Sequence, residues 1–150
     1  MSGQRPAEWF DDYSVGDTVT SPAMTVTADD VRGYSRFTND VRPVFRRSRE
    51  DGAVPVPQMY LFSLGVALLL HSVETYIPRH FVAFFGFDLI EFHHDVRSGT
   101  VISSTATVSE LVPRGRNGLI TYRHQTSSDD GRLLVSSSHR ILVRQRGADD

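Results

Sequence analysis

The sequence predicts an α+β domain: one long apolar helix wrapped by a curved, mainly antiparallel sheet. Three observations lead there. Helical patterns come first along the chain and strand patterns follow, a segregated order that favours an antiparallel sheet over alternating βαβ units. The segment from about Gln58 to Glu74 is apolar on nearly every side, so protein must surround it. The residues after it read as four consecutive strands, enough to supply the wrapper.

The elements follow in order. Asp17 to Met24 has strand character broken by Pro22. Thr27 opens a helix, with Asp30 three places on as the second half of a capping box. Val31, Tyr34 and Phe37 give that helix an apolar face, and it should fail near Thr38 to Asp40, with Pro43 enforcing an extended loop. Val54-Pro55-Val56-Pro57 fits neither helix interior nor central strand, because two prolines delete donors. Pro57 suits the start of the central helix. The expected strands are Phe81 to His94, Thr100 to Val112, Leu119 to Thr126 and Leu133 to Arg144, with turns at Arg114–Gly118 and Ser128–Gly131. Leu133, Val135, Ile141 and Val143 share one phase of the last strand. A long apolar helix held in a curled sheet is the arrangement called a hot dog. Residues 1–150 read as a single domain, with residues 1–8 and 146–150 expected to be flexible.

Composition excludes several classes. Cys is absent, which removes disulfides, thiolate metal sites and a Cys nucleophile. All 16 basic side chains are Arg, so Lys-based Schiff chemistry is excluded as well. A net charge of −2 lacks the basic footprint of a nucleic-acid binder. The most apolar segment, Met59 to Leu70, is shorter than the roughly 20 residues that span a bilayer. The N-terminus lacks the charged start and apolar run of a signal peptide. The expectation is a cytoplasmic chain with no membrane or nucleic-acid partner.

Several segments resemble the MaoC-like hydratases and dehydratases. Trp9-Phe10-Asp11-Asp12-Tyr13-Ser14-Val15-Gly16-Asp17 is similar to that family's entry strand, and Thr25-Val26-Thr27 with the following helix to its first helix. Phe92 to Thr100, FHHDVRSGT, resembles its F…PV+PGD turn, with Asp95 where Pro is usual and Thr100 where Asp is usual. The family signature G-D-x-N-P-x-H appears as Asn39-Asp40-Val41-Arg42-Pro43-Val44-Phe45. Asp40 and Pro43 match; Asn39, Arg42 and Phe45 replace Gly, Asn and His. A phenyl ring cannot transfer a proton, so the acid–base pair that the resemblance implies is broken. A second departure lies at the central helix, where many relatives have His-Gly and this chain has Pro57-Gln58. Pro57 has no N–H to offer a thioester oxygen, whereas Gln58 has one on its backbone and more on its side chain.

The resemblance implies an enzyme adding or removing water at an enoyl thioester on coenzyme A or an acyl carrier protein, with no metal or organic cofactor. Such chemistry needs an acid–base group and donors for the developing enolate oxygen. Read locally, Asp40 is a polar residue that ends a helix, as in an Asx turn; through the resemblance it is the catalytic residue. Asn39, Arg42, Phe45, Pro57, Gln58, Met59 and Tyr60 are the candidate substrate contacts at the loop and helix start. Phe84, Phe85 and Gly86 are candidates for an acyl pocket, although core packing explains those rings equally well. His80 and His94 are the first candidates for a replacement base; none of the six His residues has recognised metal spacing. Arg42, Arg46, Arg47 and Arg49 either grip phosphates or an acidic carrier, or form a solvated loop beside Glu50 and Asp51. Three functions stay open: a hydro-lyase or related isomerase or cyclase working through Asp40 on a fatty-acyl or polyketide-type thioester; a noncatalytic acyl-binding subunit of a heterodimeric dehydratase; a ligand-binding protein without turnover. All three predict a homodimer or a heterodimer with a related hot-dog chain, since an apolar edge strand like Phe81 to Ile90 needs a cover.

Overall fold

The computed structural model describes residues 7–40, 42–43, 52–72 and 76–147. Phe45, the arginines at 46, 47 and 49, residues 73–75 and the outermost ends fall outside them. The described elements are β1 (Thr18–Thr20), β2 (Met24–Thr25), α1 (Ala28–Phe37), α2 (Gln58–Ser72), β3 (Phe81–Phe92), β4 (Val101–Arg114), β5 (Asn117–Ser128) and β6 (Leu133–Arg144). A short 3₁₀ turn, Phe10–Asp12, precedes them.

The six strands form one antiparallel sheet in the order β1-β4-β5-β6-β3, with β2 also pairing to β4. The expected α+β architecture is therefore present. Side chains alternate on a period of two along β4, β6 and much of β5, so one face turns towards α2. On β5 that face carries Ile120, Tyr122, His124 and Thr126; on β6 it carries Val135, Ser137, His139, Ile141 and Val143. Leu61, Phe62, Val66, Leu68 and Leu69 of α2 pack against it.

Gly65 sets how closely α2 approaches the sheet. A Cβ there would lie 2.1 Å from Thr126 Oγ1 and 3.1 Å from Ser104 Oγ. Ser104 and Thr126 bond each other at 2.9 Å, so the helix rests on a polar strip across an otherwise apolar layer. Gly118 does the same for the N-terminal turn: a Cβ there would collide with the buried Phe10 ring.

Two expectations change. The predicted apolar face of α1 includes Phe37, yet Phe37 is 89% exposed while Val31 is fully buried. Phe37 is the last residue of α1, beyond the reach of the core. The central helix is also not wholly enclosed, because Met59 is 52% exposed and Ser63 and His71 are exposed as well. One curved sheet covers only one side of a helix.

Among the described residues β3 is an edge strand, pairing only with β6, and its register breaks at three places. Val82, Phe84, Phe85, Phe87, Leu89 and Ile90 along it are all substantially exposed. No helix among the described residues is long and apolar enough to cross a membrane.

Candidate functional site

An open cavity of about 720 Å³ lies at the N-terminal end of α2. Three separate segments build it: Tyr34 to Arg42, Pro55 to Met59, and Asp95 to Arg97.

The first segment is positioned by the end of α1. The Asn39 N–H bonds the Arg36 carbonyl at 3.2 Å, and the Asp40 N–H reaches the Ser35 carbonyl at 2.8 Å. Asn39 has φ +54°. These are the paired bonds and left-handed residue of a Schellman cap, in which Asn is tolerated after Gly. Asn39 is therefore a helix terminator that aims Asp40 into the cavity; it does not itself line the cavity as the sequence suggested.

Asp40 is gripped on both carboxylate oxygens. Arg42 Nη2 donates to Oδ2 at 2.6 Å, and Arg42 Nε donates to Oδ1 at 2.9 Å. The Arg42 backbone N–H adds a third donor at 3.2 Å. This bidentate clamp, led by the Arg42 side-chain bond, holds the Asp40 carboxyl below the usual carboxylate range.

The second segment is pinned in extended form. Val56 N–H donates to the Val96 carbonyl at 2.8 Å, and Ser98 N–H donates to the Val54 carbonyl at 2.8 Å. Arg97 Nη1 reaches the Ala53 carbonyl at 3.3 Å. Pro57 then accepts the Leu61 N–H at 3.0 Å and so starts α2. The N–H groups of Gln58, Met59 and Tyr60 are the first-turn donors that a helix leaves without internal acceptors. Pro57, Gln58 and Met59 line the cavity. Tyr60 does not; it stacks on Tyr34, which does, with ring centroids 4.8 Å apart.

Other candidates lie elsewhere. His80 stacks on Trp9 at 3.4 Å, and its backbone bonds Glu8 and Arg144, so it ties the N-terminal segment to the sheet end. His94 is exposed in the loop after β3 and does not line the cavity. Phe84, Phe85 and Gly86 also stand apart from it: Phe84 stacks on His139, while Phe85 lies under the guanidinium groups of Arg114 and Arg140 at 5.8 and 5.3 Å. Phe84 and Phe87 both stack on His139 although they are three residues apart, because the register of β3 shifts between Phe84 and Gly86; strict alternation would send them to opposite faces.

Sequence reasoning missed Tyr34, Thr38, Asp95, Val96 and Arg97 as cavity residues. The last three lie within FHHDVRSGT, so a signal existed. It also missed the two fully buried histidines, His124 and His139. His139 Nδ1 shares a hydrogen bond with the buried Tyr76 hydroxyl, and His124 Nδ1 one with Ser137 Oγ at 3.2 Å. Burial lowers both imidazoles to about 4. Among the described residues the Nε2 atom of His139 has no partner, while the Gly65 backbone partly offsets the effect of burial on His124. Burial pushes the Tyr13 hydroxyl up to about 12, and raises Tyr76 and Tyr122 further. Among the described residues, no three His, Asp or Glu side chains come together as a metal site.

The sheet order and central helix match solved structures across nearly the whole chain. A MaoC-like dehydratase from Rhodospirillum rubrum superposes with a TM-score of 0.77 at 18% identity, covering 93% of this chain and 99% of that one. This is the hot-dog fold of the MaoC-like dehydratases. A monoamine oxidase regulatory protein from Archaeoglobus fulgidus shares the hot-dog fold, with a TM-score of 0.80, 21% identity, and 95% and 97% coverage. The HadBC 3R-hydroxyacyl-ACP dehydratase complex of Mycobacterium tuberculosis supplies a third similar chain, with a TM-score of 0.63, 18% identity, and 85% and 96% coverage. No family model and no curated protein matches the sequence. At these identities the likeness is one of fold.

Proposed function

We propose that this hot-dog protein binds an acyl thioester at the N-terminus of α2 and serves as the noncatalytic partner of a hydratase- or dehydratase-type chain. The observation that carries the reading is the clamp on Asp40. Both its oxygens are held by Arg42, so the carboxylate is stabilised as an anion and is a weaker base towards a substrate proton. No histidine lines the cavity among the described residues. What remains suits binding: first-turn N–H donors for a thioester oxygen, the Gln58 amide, the Tyr34 and Thr38 hydroxyls, and apolar Pro57 and Met59. The similarity to one chain of the HadBC complex supports a paired assembly. The exposed apolar edge of β3 is the surface on which a second hot-dog chain would continue the sheet.

A second reading keeps turnover in this chain, since Asp40 still faces the cavity. Purified protein assayed on enoyl and 3-hydroxyacyl thioesters separates the two. The proposal expects thioester binding without turnover, and hydration activity gained when the family residues return in the double variant Arg42→Asn, Phe45→His. Turnover by the unmodified chain alone, abolished by Asp40→Asn, would overturn it in favour of an enzyme built around one carboxylate.

A further inference from the structure

Beyond the cavity, the space between α2 and the edge strand is filled with aromatic rings. Phe62 lies one helical turn past Gln58, about 6 Å further along the axis. Its ring meets Phe87 edge-on at 5.2 Å and His124 at 6.3 Å. Phe87 stacks on His139 at 4.2 Å, within 16° of parallel. Phe84 lies nearly parallel to the same imidazole at 5.3 Å and touches Phe81 at 4.8 Å. His139 is held in turn by Tyr76. None of these residues lines the cavity, whose contacts on α2 end at Met59.

The side of α2 that faces β4 and β5 is closed too. Gly65 brings the helix backbone against Thr126 and Ser104 so tightly that a methyl group would not fit. A chain entering at the helix N-terminus therefore cannot pass between α2 and the sheet.

Resting on the acyl-binding reading above, we propose that the ring stack Phe62–Phe87–His139 is a stop that limits the bound acyl group to a few carbons. Phe87 is the peripheral element, on the irregular edge strand and 37% exposed. Phe62 is the fixed element, 7% exposed in the core. Tyr76 acts as a positioning residue, holding the imidazole against which Phe87 stacks.

The test is calorimetric binding of saturated acyl-coenzyme A thioesters from acetyl to dodecanoyl, to the unmodified chain, Phe87→Ala and Phe62→Leu. Phe62→Leu guards against a folding failure, since it keeps an apolar side chain in the core, and thermal melts check each variant. The stop predicts affinity that ceases to rise, or falls, beyond hexanoyl in the unmodified chain. In Phe87→Ala, affinity should go on rising by about four-fold per added methylene. Affinity that rises through dodecanoyl in the unmodified chain would overturn the stop and leave the binding function standing. So would two folded variants with an unchanged length limit. If no thioester of any length binds any of the three proteins, the binding function falls and the stop with it.

Discussion

Lowering the pH should unfold this protein through His124 and His139, well above the range where its carboxylates titrate. Both imidazoles are fully buried, and burial lowers each from an ordinary 6.5 to about 4. Above pH 6.5 they are neutral in both folded and unfolded chains and add no pH dependence. Between 6.5 and 4 the unfolded chain takes up the protons and the folded chain does not. Stability is therefore present above the unfolded value and lost as pH falls through this window. The shift is about 2.5 pH units per histidine, and each unit corresponds to about 1.4 kcal/mol. Each histidine thus removes about 3–4 kcal/mol, and the pair about 7 kcal/mol. That is comparable with the whole stability of an ordinary domain, about 5–15 kcal/mol. The carboxylates act lower. Asp40, held down chiefly by Arg42, and Asp130, held down chiefly by Ser128, lose their contributions only below their ordinary 3.8. Urea unfolding between pH 8 and 4 should show a loss approaching two protons' worth of slope near pH 5. His124→Gln and His139→Gln should each remove about one proton's worth. A flat profile from pH 7 to 4.5, or an unchanged slope in both variants, would refute the reasoning.

Three further outcomes are expected. Gly65→Ala gains about 1 kcal/mol of helix propensity but drives a methyl group into Thr126, so a net loss of about 1–2 kcal/mol is expected. Denaturant midpoints should recover when Thr126→Ala is added, and a stabilising Gly65→Ala would contradict the close approach. Arg42→Ala removes the main donor on Asp40, so the carboxyl titration followed by NMR should move up towards 3.8; no movement would mean that the clamp does not form in solution. Thr27→Ala breaks the capping box, in which Asp30 N–H donates to Thr27 Oγ1 at 3.1 Å and Thr27 N–H donates to Asp30 at 3.3 Å. A loss of about 1 kcal/mol should appear in the same urea experiment.

The capping box at Thr27, the start of α2 after Pro57 and the four long strands were legible because each depends on neighbours within a few residues. Capping, proline sterics and period-two alternation are local rules. They placed the elements closely: the strand expected over Leu133 to Arg144 is β6, and the helix expected from Gln58 is α2. The resemblance added Asp40 at a cavity, and even its clamp by Arg42 is a short-range contact two residues along. His139 was half legible, since it shares the buried phase of Val135, Ile141 and Val143 on β6.

What surrounds these residues was not legible. The cavity joins residues near 40, 57 and 96, brought together by the Val56–Val96 and Ser98–Val54 backbone bonds. No local rule sets that distance, because it depends on how the sheet curls around α2. The same holds for the aromatic stop, where Phe62 of the helix meets Phe87 of the edge strand and His139 of its neighbour. The sequence by itself determined which segments become helix and strand and which face of β6 is apolar, through sterics and periodicity. Only the tertiary structure decided which polar groups share a cavity and which lose their water, because desolvation and packing are set by atoms far away along the chain.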